Sequence, residues 1–160
     1  MIITILTFLS SCDKIVYFDI PQNEKPLLNN NDTVCFIDLN GKIDSFLIKR
    51  TDNYRISDKR YYHQEIIIQY KNINLYGSIR DFRIEHRGST SIYVDGYYFP
   101  SIYKNDLVIN LDIKGLKYIN VYNLKSLNYP DTIPKSIYYS HKKGIIKYDF
   151  SDSSYEIINK

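Results

Sequence analysis

The sequence predicts an all-β protein: one antiparallel domain, barrel-like or a sandwich, of about nine or ten strands. Three observations predict it. Tyr (17) and Phe (7) abound, Ile is frequent and Ala is absent, a composition that favours strands over helices. Short apolar runs recur at regular spacing, separated by Asn, Asp, Gly, Ser and Pro. The connections are too short for covering helices, which argues against a parallel sheet. Part of the Ile, Asn, Lys and Tyr excess also reflects an AT-rich coding sequence.

The first strands are residues 33–39 and 43–50, flanking Asn40-Gly41, the strongest short-range hairpin signal. A two-residue loop would set Phe36 opposite Ser45. A three-residue loop would set Phe36 opposite Phe46 and Val34 opposite Ile48, which groups the apolar side chains better and is preferred, although Asp38 then faces Asp44. Residues 51–53 and 57–59 read as turns. Residues 61–70 form a strand with Ile66, Ile68 and Tyr70 on one face and His63, Glu65, Ile67 and Gln69 on the other. Residues 75–86 alternate less cleanly, with Phe82 and Ile84 on the side of Arg80 and His86. Residues 90–99 read as one strand bent or bulged at Gly96 and ended by Pro100. Strands follow at 107–113 and, after Gly115, at 116–124. Residues 128–134, with Pro130 and Pro134, form a loop. A three-strand meander of 136–141, 145–150 and 155–158 closes the chain. Short helices at 77–83 or 123–128 are the weakest alternatives. No internal repeat or second domain is visible.

Ahead of this domain stands MIITILTFLSSCD. Its apolar run, Ile2 to Leu9, is far shorter than the roughly 18 residues that suggest a spanning helix. It ends at two small residues and Cys12, as a cleaved secretory signal does. Leu9-Ser10-Ser11-Cys12 resembles the lipobox of bacterial lipoproteins, and Ser-Ser-Cys-Asp-Lys looks like lipoproteins of Bacteroidota. The resemblance implies cleavage after Ser11, a diacylglycerol thioether on the Cys12 sulfur and usually an N-acyl chain. Leu9, Ser10 and Ser11 would then be signal-peptidase recognition residues, and Cys12 the lipid-attachment site. The implied location is the cell envelope, with the outer membrane favoured and the leaflet open. The plainer alternative is an unmodified, buried Cys12 at the end of a short strand. No Lys or Arg precedes the apolar run, so the start lies upstream of Met1 or the signal is atypical. The domains expected are a signal peptide (1–11), a lipidated tether rich in Asn and Pro (12–32) and the antiparallel β domain (33–160). Within the tether, residues 15–18 suit a short edge strand.

The C-terminal third carries a second resemblance. Leu116-Lys117-Tyr118-Ile119-Asn120-Val121-Tyr122, then Ile137-Tyr138-Tyr139-Ser140 and Gly144-Ile145-Ile146-Lys147-Tyr148, are similar to the ends of small uncharacterised Bacteroidota lipoproteins. That resemblance implies no mechanism.

Candidate chemistry is sparse. The net charge of +3 is too small to demand a polyanionic partner, and an export signal disfavours nucleic acid. With Cys12 acylated, Cys35 is a lone thiol and reads as a small buried apolar residue. His63 and Glu65 share a strand face, and His86 with Glu85 would approach them under suitable pairing, but a metal site needs a third ligand. No Ser lies in a Gly-x-Ser-x-Gly elbow, no glycine-rich phosphate loop exists, and Asp149 and Asp152 sit where Asp forms turns. Arg80, Arg83, Arg87 and Lys142-Lys143 read either as contacts to anionic headgroups or polysaccharide, or as solvated charges protecting strand edges. The doublets Tyr61-Tyr62, Tyr97-Tyr98 and Tyr138-Tyr139 place one ring of each pair outward, for partner contact or through strand propensity alone.

The expectation is therefore a non-catalytic interaction or ligand-binding module, with no catalytic, cofactor or metal residues, anchored to the membrane through acyl chains on Cys12. Its other partner would be an unidentified protein, lipid or glycan. The alternatives are an assembly or adhesion subunit with an exposed aromatic patch, a lipocalin-like carrier with an internal cavity and, less favoured, a hydrolase using His63 or His86.

Overall fold

The computed structural model describes residues 15–74, 77–102 and 108–158. Among them there is no helix. The strands are β1 (Val16–Phe18), β2 (Thr33–Ile37), β3 (Ile43–Asp58), β4 (Tyr61–Asn72), β5 (Asp81–His86), β6 (Thr90–Val94), β7 (Tyr97–Ile102), β8 (Val108–Ile113), β9 (Leu116–Lys125), β10 (Ser136–Ser140), β11 (Gly144–Asp149) and β12 (Ser154–Ile158). Eleven of them form one antiparallel sheet, curled into a half-barrel, in the order β7-β6-β5-β4-β3-β2-β12-β11-β10-β9-β8. β1 adds to β4 in parallel.

Chain length obliges this sheet to curl. β7 and β8 are its two edges, yet Ile102 and Val108 are joined by six backbone steps that span about 20 Å at most. Laid flat, eleven strands would hold those edges roughly 48 Å apart. The curl brings β7 against β9, and beyond β9 the Tyr129 hydroxyl donates to the Tyr98 carbonyl.

The concave face is filled with rings. Phe36, Phe46, Tyr70, Phe82 and Tyr148 are fully buried, and Phe82 of β5 meets Tyr148 of β11 at 5.3 Å between ring centroids. Each such ring contributes about 1.5–3 kcal/mol by leaving water. These rings occupy space between the facing walls of the half-barrel. A smaller cluster of Ile113, Tyr118, Val121 and Ile146 lies on the other face of β9 and β11. Ile66, Ile68, Tyr70, Phe82 and Ile84 point inward as their alternation predicts.

Several expectations need correction. The described residues form twelve strands, not nine or ten, because β1 is a strand and residues 90–99 are two. Asp95 (φ 47°) and Gly96 (φ 88°) reverse the chain completely, the left-handed pair that a tight hairpin requires. Pro100 does not end β7. It sits within an edge strand, where a missing N–H is tolerated. β3 continues through residues expected to turn, since it stays paired with β4 as far as Asp58. Residues 81–86 and 123–125 are strand, not helix.

The β2–β3 register matches neither loop reading. Phe36 lies opposite Asp44 and Val34 opposite Phe46, leaving residues 38–42 as the connection. Asp38 organises that connection. Its carboxylate accepts from the amides of Asn40 (2.9 Å) and Lys42 (2.8 Å), and its amide donates to the Lys42 carbonyl. The inward-facing set is the one expected from the three-residue loop, slipped by two residues, which preserves faces. The slip moves Asp38 away from Asp44.

Of the segment expected as a tether, residues 15–32 run along the domain. Ile20 and Leu28 pack on the core, the Leu27 amide donates to the Lys142 carbonyl, and the Arg50 guanidinium donates to the Pro26 and Leu28 carbonyls.

Candidate functional site

The three histidines, far apart in the sequence, converge on one cleft of about 370 Å³ at one end of the half-barrel. His86 is the last residue of β5, Thr90 opens β6, His141 follows β10 and His63 lies near the start of β4. Phe18 at the end of β1 and Asp19, Ile20 and Glu24 beyond it form the opposite wall. The strands place the rings, and the segment after β1 closes over them.

His86 is buried at 3% exposure and engages both ring nitrogens. Nδ1 lies 2.9 Å from the Thr90 hydroxyl and Nε2 lies 3.1 Å from the Tyr139 hydroxyl. Burial, then the neighbouring His141 and Arg50 charges, push its pKa down to about 3. His141 contrasts with it. Its ring packs edge-on to Tyr122 (5.1 Å) and Tyr139 (5.5 Å), and its buried Nδ1 has no hydrogen-bond partner. Burial lowers its pKa, and Glu24 partly opposes that shift. His63 is exposed and stacks on Phe18 at 4.6 Å.

The cleft is therefore a small concave site with aromatic and imidazole walls, two carboxylates at its rim and one unsatisfied ring nitrogen. Its volume suits a small ligand. Among the described residues no group of three His, Cys, Asp or Glu is placed to hold a metal ion, and no serine hydroxyl is hydrogen-bonded to a histidine. No family model matches the chain, and neither a curated protein nor a solved structure was found that is significantly similar to it.

The remaining candidates are dispersed. Leu9, Ser10, Ser11 and Cys12 lie outside the described residues. Glu65 pairs with Arg87, and Glu85 with Arg83 (2.6 Å) and Arg87 (3.4 Å), so the Arg83–Arg87 cluster is matched by acids on β4 and on β5 itself. Cys35 is partly exposed, with its sulfur 3.3 Å from the Ser45 hydroxyl. It borders a second hollow with Leu27, Ile43, Ile157, Lys142 and Lys143. Asp149 lies 3.5 Å from Lys147, and Asp152 is at the β11–β12 turn. Of the Tyr doublets, Tyr139 is buried and Tyr138 half-buried, whereas Tyr97 and Tyr98 are both exposed. Among the described residues no helix is long and apolar enough to cross a membrane.

The burial of neutral His86 has a measurable consequence. The unfolded chain takes up a proton near pH 6.5, whereas folded His86 resists it down to about pH 3. The stability held above pH 6.5 is therefore lost as pH falls through this window, by up to about 1.4 kcal/mol per pH unit. Urea midpoints between pH 7 and pH 4 are expected to fall steeply for the native chain and less steeply for His86→Gln. Parallel slopes would remove His86 as the cause.

Proposed function

We propose that this chain is a cell-envelope protein anchored by acyl chains on Cys12, favoured at the outer membrane, and that it acts as a non-catalytic module binding a small ligand in the three-histidine cleft. The observation that carries the binding half is the convergence of His63, His86 and His141 on one concavity in which the His141 Nδ1 has no partner. A ligand with a hydrogen-bonding edge and an apolar face suits walls made of Phe18, Tyr122 and the imidazoles. The non-catalytic half is supported by His86, whose two nitrogens are already engaged, which leaves it poorly available as a general base. The anchoring half is supported by the Leu9-Ser10-Ser11-Cys12 motif.

One preparation tests both halves. Protein extracted from membranes in mild detergent is expected to carry the mass of a diacylglycerol on Cys12 and, by native mass spectrometry, a bound molecule of a few hundred daltons. Cys12→Ala is expected to abolish labelled fatty-acid incorporation and leave an unprocessed precursor. Ser89→Phe, which fills the cleft from the turn after β5, is expected to lose the bound molecule and keep the acyl mass. Unchanged labelling in Cys12→Ala would refute the anchor. Absence of any bound molecule from the native protein would refute the cleft.

A second reading, an assembly or adhesion subunit, is favoured by the exposed rings on β1, β3 and β4.

A further inference from the structure

The hairpin of β3 and β4 is longer than the sheet that supports it. β5 pairs with β4 only from Ile66 onward, so residues 53–65 project beyond the half-barrel as an arm. β1 extends the arm to three strands, pairing in parallel with residues 61–63. Each face of the arm carries apolar side chains. Tyr17 packs on Tyr54 and Tyr62 at 5.2 Å each on one face, and Phe18 meets Tyr61 at 6.0 Å on the other. Yet these groups remain open to water: Tyr17 is 57% exposed, Ile56 59%, and Ile15, Phe18, Tyr54 and Tyr61 between 42% and 50%. An arm that exposes apolar groups on both faces fits an environment that surrounds it, rather than a partner covering one side.

Chain direction says which environment. The Val16 amide donates to the Arg60 carbonyl, so β1 begins beside the β3–β4 turn, at the arm's tip. Cys12 precedes Val16 by four residues, a reach of about 14 Å at most. We infer that the tip of this arm is immersed in the interfacial layer of the bilayer that holds the anchor, with its tyrosines at headgroup level. This rests on the reading of Cys12 as acylated. Tyr joins an apolar ring to a polar hydroxyl and partitions to that layer. Arg55 and Lys59, both exposed near the tip, suit the phosphates there. The arm therefore gives the domain a second contact with the membrane, and the domain no longer swivels freely about one acylated residue.

The chain has no Trp, so a single introduced tryptophan reports without background. Ile56→Trp places the indole near the tip. Leu39→Trp places it in the β2–β3 loop, 94% exposed, at the far end of β3 and about 50 Å away. Both full-length variants, purified from membranes, are reconstituted into phosphatidylcholine vesicles with bromine on the acyl chains. The fluorescence of Ile56→Trp is expected to shift to the blue and fall about twofold, with that of Leu39→Trp unchanged. If mass spectrometry finds Cys12 acylated and Ile56→Trp remains as unquenched as Leu39→Trp, the inference fails and the anchor stands. If Cys12 carries no acyl chain, the anchor fails and the inference with it. Equal quenching of both variants would also overturn it, since the domain would then lie flat.

Discussion

Gly144→Ala is expected to lower the thermal midpoint of the domain by about 10 °C. Two costs combine. Gly144 sits at φ +77°, where a side chain adds about 1–2 kcal/mol. Its Cβ would also run into the Tyr70 hydroxyl and come within 2.7 Å of Leu28. Tyr70 is fully buried among Phe46 and Phe82 and accepts from the Ile145 amide at 3.2 Å, so it has nowhere to move. Overpacking of this kind costs about 1–3 kcal/mol. Removing the obstructing oxygen tests the cause. Tyr70→Phe alone loses a hydrogen bond and is mildly destabilising, but in the Gly144→Ala background it is expected to recover part of the loss, the positive-φ cost remaining. Strict additivity of the two changes in calorimetry would show that the collision is not the source.

Asp44→Ala is expected to cost about 3 kcal/mol, read as a lower urea midpoint at unchanged slope. Asp44 has no exposure, yet its carboxylate is met by donors: the Tyr148 hydroxyl at 2.8 Å, the Ser78 amide at 3.2 Å and the Ser78 hydroxyl. Truncation would strand those donors in the core. The same burial and the facing carboxylate push the Tyr148 hydroxyl pKa far up, so Tyr148 stays protonated as a donor. Tyr148→Phe in the Asp44→Ala background should therefore recover part of the loss. The Ser78 amide, which holds the β4–β5 connection down, should exchange its hydrogen faster in Asp44→Ala. Unaltered exchange there would mean that another contact fixes the connection.

What could be read from the residues follows from range. The inward faces of β4 and β5 were legible because a strand's period of two is local. The Asp95-Gly96 hairpin is written in the same language as Asn40-Gly41, but the apolar residues on both sides disguised it as one strand. The β2–β3 register was not legible from apolar matching, because the polar side chain of Asp38 stabilises a longer loop. Asp44 stood out only as a carboxylate that Asp38 would face. Its partners, Ser78 and Tyr148, are 34 and 104 residues away. The cleft was hidden for the same reason: His141 gains its role only when the β10–β11 turn meets the end of β5.

The strand order also determines when this molecule becomes whole. β2 through β7 and β8 through β12 are two runs in which each strand pairs with its sequence neighbour, and such local contacts form quickly. Among the described residues the one strand pairing that joins them is that of β12 with β2, with Ile157 opposite Phe36 across most of the chain's length. During synthesis, which runs from the N-terminus, the first run waits with bare edges at β2 and β7 until the last strand arrives. Bare edges recruit strands from other chains. The slow, vulnerable step in biogenesis is thus placed at the seam, and a polypeptide shortened by β12 alone would be two half-sheets competing for any available edge.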